Sequence, residues 1–208
     1  MPRADAPRAR PDAPRTGPDA PRERADAARN RERVLRAAER LFAERDPASV
    51  TMEDVARAAG VGRATLYRRY PDPGSIAVAL LDEHERALQE RLLGGPPPLG
   101  PGAPPAQRLA AFYEAMVALL EQHLPLALGA ETGSARFATG AYGFWRTHVR
   151  ALLVDAGVPF EDAEVDALLA PLAPELYRYQ RFERKQSTAQ ITAALQRLAE
   201  RMLSGAGE

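Results

Sequence analysis

Read for the spacing of its apolar positions, the chain divides into a polar leader and a succession of helical stripes. Val34, Leu35, Ala38, Leu41 and Phe42 recur at i, i+1, i+4, i+7 and i+8, the period of a helix with one buried face. A shorter stripe follows Thr51, made of Met52, Val55, Ala56 and Ala59, and it ends on Gly60. Val61, Leu66 and Tyr70 mark the inward side of a third element, roughly residues 62–69. Residues 73–93 carry Ile76, Leu80, Leu81, Leu88 and Leu92, and the pattern breaks at Gly94 and Gly95 in a Pro/Gly-rich loop, residues 94–105. Helical spacing resumes over residues 106–123, 136–156, 161–182 and 187–203, with Pro171 and Pro174 expected to kink or split the third of these. No stretch alternates with period two, so the expected fold is all-α.

The first 29 residues belong to none of these stripes. Asp5, Asp12, Asp19 and Asp26 recur every seven residues, each of the first three opening Asp-Ala-Pro-Arg. No large apolar residue occupies any position of this repeat and its prolines resist a helix interior, so a disordered, partly polyproline-like tail is expected rather than a coiled coil. The net charge of zero is unevenly spread. Residues 30–70 hold nine arginines against six acids, whereas residues 71–208 hold twelve basic against seventeen acidic residues. That places the positive potential where a polyanion would approach. Cysteine is absent, which excludes disulfides and thiolate metal sites. The three histidines, His84, His123 and His148, show no metal-ligand spacing, and no Gly-rich phosphate loop or nucleophile elbow occurs, so neither a metal, a cofactor nor an enzymatic activity is expected. No apolar run reaches the ~20 residues of a membrane span and no signal-like segment opens the sequence; a cytoplasmic location without membrane attachment is the expectation.

Chemistry concentrates in residues 51–70. Thr51 is placed to cap a helix on the N–H of Asp54, whose carboxylate suits the first turn. Gly60 supplies the turn, and the next ten residues contain Arg63, Arg68 and Arg69 and no acid. Two short helices around a tight turn, the second with a basic outer face, are the sequence form of a helix-turn-helix. Arg63, Thr65, Tyr67, Arg68 and Arg69 are left free to meet phosphates and base edges, with the Tyr67 hydroxyl suited to a phosphate.

With the amphipathic helix of VLRAAERLFAERD before it and Thr65-Leu66-Tyr67 within it, this segment resembles the DNA-binding domain of TetR-family transcriptional regulators, from Arg31 to about Leu81. Asp46-Pro47, Gly62, Ala64 and Pro73 depart from the family's usual residues. Asp46-Pro47 is expected to end the first helix early, and Pro73 replaces a phosphate-binding lysine while leaving the N–H groups of its helix available. The resemblance implies an N-terminal three-helix helix-turn-helix DNA-binding domain plus a C-terminal helical ligand-binding and dimerisation domain, divided as residues 1–29 tail, 30–76 DNA-binding domain and 77–208 ligand-binding and dimerisation domain. It implies DNA contacts from Thr51, Arg63, Thr65, Tyr67, Arg68 and Arg69. It further implies a homodimer joined by the last two stripes, which comprise Val165, Leu168, Leu169, Leu172 and Leu176, then Ile191, Leu195, Leu198 and Met202.

Between the two ends lies most of the aromatic content, and aromatic walls with few polar groups are how small-molecule pockets are built. Phe112, Tyr113, Met116, Phe137, Tyr142, Phe144, Trp145, His148 and Tyr177 are the expected lining, with Gly129, Gly133, Gly140 and Gly143 giving up side-chain volume nearby. The implied function is a repressor that binds double-stranded operator DNA with a palindromic site and is released by an unidentified small-molecule effector. An activator, a co-repressor-dependent regulator, or a helix-turn-helix reused for protein interaction are the alternatives.

Overall fold

The computed structural model describes residues 20–45, 49–130, 137 and 140–203. Among them every regular element is helical: α1 (Ala20–Glu44), α2 (Met52–Ala59), α3 (Arg63–Tyr67), α4 (Pro73–Gly94), α5 (Pro105–Ala130), α6 (Gly140–Asp155), α7 (Asp162–Leu169), α8 (Pro174–Arg178) and α9 (Thr188–Leu203). The all-α expectation holds. The helices α1, α2 and α3 form a small head, and α4 runs from that head into a body built around α5, which packs chiefly on α9 and α4.

The head is assembled as the stripes dictate. Val34, Leu35, Ala38 and Leu41 of α1 are buried against Met52, Val55, Ala56 and Ala59 of α2 and against Leu66 and Tyr70, with Phe42 and Val61 partly buried beside them. The disorder expected up to residue 29 is corrected for its last ten residues, because α1 begins at Ala20. Pro21 stands in the first turn, where its missing N–H would be unbonded in any case and its fixed φ suits a helix. Residues 1–19 and the Asp46-Pro47 junction lie outside the described residues, as do Gly133 and the side-chain surroundings of Gly129. The third helix is also shorter than the expected span, since Arg68 closes it as C-cap. At the other boundary α4 runs unbroken through residues 76 and 77, where head and body were divided.

In the body, α5 continues past its expected end at His123. His123 leaves helical geometry at φ −126°, ψ 21°, two residues before Pro125. Pro125 has no N–H to give and its ring crowds the carbonyl four residues back, which accounts for the break. The segment 161–182 is split as its prolines require, into α7, a 3₁₀ turn Ala170–Leu172, α8 and a π turn Tyr179–Glu183.

The stripes assigned to a dimer interface are mostly spent inside the chain. Val165, Leu168, Leu169, Leu172, Ile191 and Leu195 are buried, and α9 turns its apolar face onto α5. Leu198 and Met202 are half-buried, and Leu176, Tyr179 and Phe182 stay exposed. Periodicity reveals that a face is covered but not by which chain.

A polar clamp fastens α8 to α5. Glu121 takes two hydrogen bonds from Arg181, from Nε at 2.9 Å and Nη2 at 2.6 Å, and a third from the Tyr177 hydroxyl. The Arg181 guanidinium, and after it the Tyr177 hydroxyl, hold the Glu121 carboxyl at about 2, below its ordinary 4.5. A carboxyl so lowered stabilises the fold at pH values above 4.5 and gives up that stability as the pH falls through about 2. Glu121→Gln is therefore expected to cost about 1 kcal/mol near neutrality, a modest figure because solvent screens a partly exposed pair. Urea unfolding of parent and variant should converge as the pH drops through that window.

Candidate nucleic-acid interface and effector pocket

The turn that presents α3 is built by two caps. Thr51 Oγ1 accepts the Asp54 N–H at 3.2 Å and donates to Asp54 Oδ2 at 2.6 Å, while the Thr51 N–H donates to the same carboxylate at 3.2 Å. These bonds lower the Asp54 carboxyl below its usual range, the Thr51 hydroxyl being the largest cause. Gly60 then takes φ 63°, ψ 38°, and its N–H reaches the carbonyls of Ala56 and Arg57. At that left-handed position a side chain would be strained. The chain emerges with Leu66 and Tyr70 buried and with Arg63, Thr65, Tyr67, Arg68 and Arg69 all exposed.

The short α3 and the two residues after it thus display three guanidiniums and two hydroxyls, held from behind by Leu66 and Tyr70 of the head's core. Thr51 is exposed too, but its hydroxyl both donates and accepts within the cap, so its part is to position the helix. Arg63 is less free than its sequence context implied, since Nη2 lies 2.5 Å from Glu53 Oε2 on α2. Both side chains are mostly exposed, and pairs of that kind contribute about 0–1 kcal/mol, so the tether is easily exchanged for another acceptor. Asp72 was missed. It caps α4 by accepting the Ser75 N–H at 2.7 Å, and Ser75 Oγ donates back to the Asp72 carbonyl. The tip of α4, expected to offer free N–H groups to phosphate, carries a carboxylate instead. The groove behind α3 is completed by the early part of α1, with Asp26 and Asn30 facing Thr65, Arg68 and Arg69 across about 460 Å³.

The family model for bacterial regulatory proteins of the tetR family matches residues 34–79, the segment that forms this head. The head is thus a tetR-family DNA-binding domain. Curated relatives match over the same end. An HTH-type transcriptional regulator of Mycobacterium tuberculosis strain H37Rv is 40% identical over 53 residues, 26% of this chain and 26% of that protein. Another, from Mycobacterium bovis, is 49% identical over 39 residues, 19% of this chain and 21% of the relative. The chain thus spans about a quarter of the length of the curated relatives it matches. Solved structures extend the likeness to the body. A TetR-like transcriptional regulator from Rhodococcus sp. RHA1 superposes with a TM-score of 0.59 at 18% identity, covering 85% of this chain and 96% of that one. FadR of Bacillus subtilis, solved in complex with stearoyl-CoA, gives 0.59 at 15% identity, covering 84% and 98%. At such identities the likeness is one of fold.

In the body the nine expected pocket residues do not form one wall. Met116, Tyr142 and Trp145 do meet, around a small space of about 20 Å³ that Glu85, Leu120 and Leu172 also line. That volume holds about one water. Phe112, Tyr113 and Tyr177 are buried core. The Tyr113 hydroxyl donates to the Leu168 carbonyl at 2.9 Å, and desolvation pushes its pKa far above the ordinary value. Phe112 packs on Trp145 and His148 with ring centroids 5.7 and 5.3 Å away. Burial, and secondly Arg108, lowers His148 to about 4, leaving it neutral. Phe144 is half-buried edge-on to Trp145, and Phe137 stands outside at 58% exposure. Glu85, 5% exposed, is the one charged side chain buried among the described residues. It sits in step with Leu81, Leu88 and Leu92, a spacing legible in the sequence.

Proposed function

We propose that this TetR-family protein is a transcriptional repressor that binds a near-palindromic operator as a homodimer, with α3 of each subunit in one of two successive major grooves, and that a small molecule in the body releases it. The observation that carries the DNA-binding part is the exposed set on and just after α3, where Arg63, Thr65, Tyr67, Arg68 and Arg69 are all solvent-facing while Leu66 and Tyr70 are buried. Guanidiniums so placed can take phosphates and, in the groove, guanine O6 and N7 together. Support for self-association comes from Leu176, Tyr179 and Phe182, exposed on one short stretch of the body. Support for an effector comes from the relative of like fold solved with stearoyl-CoA. The helix α4 is unbroken from its Asp72 cap at the head to Gly94 in the body, which supports a coupling of a shift in the body to the head.

The test is fluorescence anisotropy on duplex DNA from the gene's own upstream region. Arg63→Ala is expected to cost about 1–3 kcal/mol and to relax preference at one base pair per half-site. Arg69→Ala is expected to weaken all sequences alike and to reduce the slope of affinity against salt by about one. If both variants bind as the parent does at moderate salt, α3 is not the reading element.

A further inference from the structure

While the small pocket at Trp145 has room for about one water, a cavity of about 510 Å³ opens between α4 and α5 beneath the 95–104 loop. That is within the roughly 300–1,000 Å³ of small-molecule sites. Its shape has a cause in the sequence. Ala111, Ala115 and Ala118 fall on one face of α5 and give up side-chain volume along a slot whose opposite sides are Leu88 and Leu99. The end of the slot is aromatic: His84 of α4 and His123 of α5 stack with centroids 3.8 Å apart and planes 16° from parallel. Burial, and secondly His84, lowers His123 to about 4, so its ring is neutral near pH 7. Arg91 and Glu114 stand exposed at the mouth, and the Arg91 guanidinium pairs with no carboxylate among the described residues.

We propose that this slot is a ligand site for a planar aromatic carboxylate of one or two rings, the ring lying along the alanine face beside the imidazole pair and the carboxylate meeting Arg91. The alanine face and the imidazole pair favour a flat ring, and Arg91 selects an anion, while Glu114 disfavours a second negative charge. The site adjoins the Trp145 pocket across Leu119, which lines both, and His84 at its end reaches the head. His84 Nε2 lies 3.4 Å from Glu39 Oε1 of α1 without an aligned hydrogen bond, so an occupant that turns His84 alters a contact between body and head. That consequence rests on the DNA-binding reading, whereas the binding does not, and the experiment is accordingly made on the free protein.

With only three histidines, the imidazole resonances report the site directly. Titration of the full chain with 2-naphthoate is expected to shift His84 and His123 and to leave His148 in place. Ala115→Leu should remove those shifts by filling the slot. Arg91→Gln, at an exposed position that does not bear on folding, should weaken binding roughly five- to tenfold, and 2-naphthylmethylammonium should bind more weakly by a similar factor. The proposal is overturned by unmoved His84 and His123 signals at millimolar acid, by an Arg91→Gln protein that binds as tightly as the parent, or by equal binding of the ammonium compound. Shifts at His148 with altered Trp145 fluorescence would place the acid in the central pocket and overturn it as well.

Discussion

With Arg63, Arg68 and Arg69 all replaced by alanine, affinity for the upstream operator is expected to fall by roughly two orders of magnitude or more, the thermal midpoint staying within a few degrees of the parent. All three side chains are exposed and none contributes to the head's core, so little folding energy is at stake. The loss combines two kinds of contact. A guanidinium on a guanine edge discriminates by about 1–3 kcal/mol, whereas those on phosphates act through released counterions and fade with salt. The triple variant should therefore lose both base preference and most of its salt dependence. The Glu53 tether sharpens the reading of Arg63, because Glu53→Gln frees that guanidinium and should raise DNA affinity slightly while removing nothing that touches DNA.

Tyr113→Ala is expected to cost about 3–5 kcal/mol of unfolding free energy, a large share of the roughly 5–15 kcal/mol that holds a typical domain. The ring has no exposed surface, and its loss leaves both a cavity and a Leu168 carbonyl without its donor. Tyr113→Phe retains the packing and should cost only about 1–2 kcal/mol. Urea unfolding separates the two. A Tyr113→Ala protein as stable as the parent would mean that the ring lines an open effector pocket, as its place among the aromatic residues had implied, rather than closing the core.

Which parts of the molecule the sequence disclosed follows from the range of the forces involved. The buried faces of α1, α2 and α4 and the outward set on α3 were legible because helical period ties each side chain to its neighbours three and four residues away. The turn was legible from Thr51 and Gly60 for the same local reason. Pairings across elements were not. Nothing in residue spacing brings His84 onto His123, Glu53 onto Arg63, or Tyr113 to the Leu168 carbonyl. The early start of α1 was hidden by Pro21, read as a breaker although the first turn accepts it. The aromatic residues misled for a different reason: a ring packed in a core and a ring lining a cavity have the same periodicity, and only their contacts distinguish Tyr177 and Phe112 from Trp145 and Tyr142.

Whether α3 reads DNA is decided by a footprint on the upstream region. Protein at moderate salt should protect two half-sites related by a dyad, their centres about 34–36 Å apart or a multiple of that, and the protection should vanish when Arg63, Arg68 and Arg69 are alanine. Protection that survives the triple substitution, or its absence at every accessible salt concentration, would contradict the account.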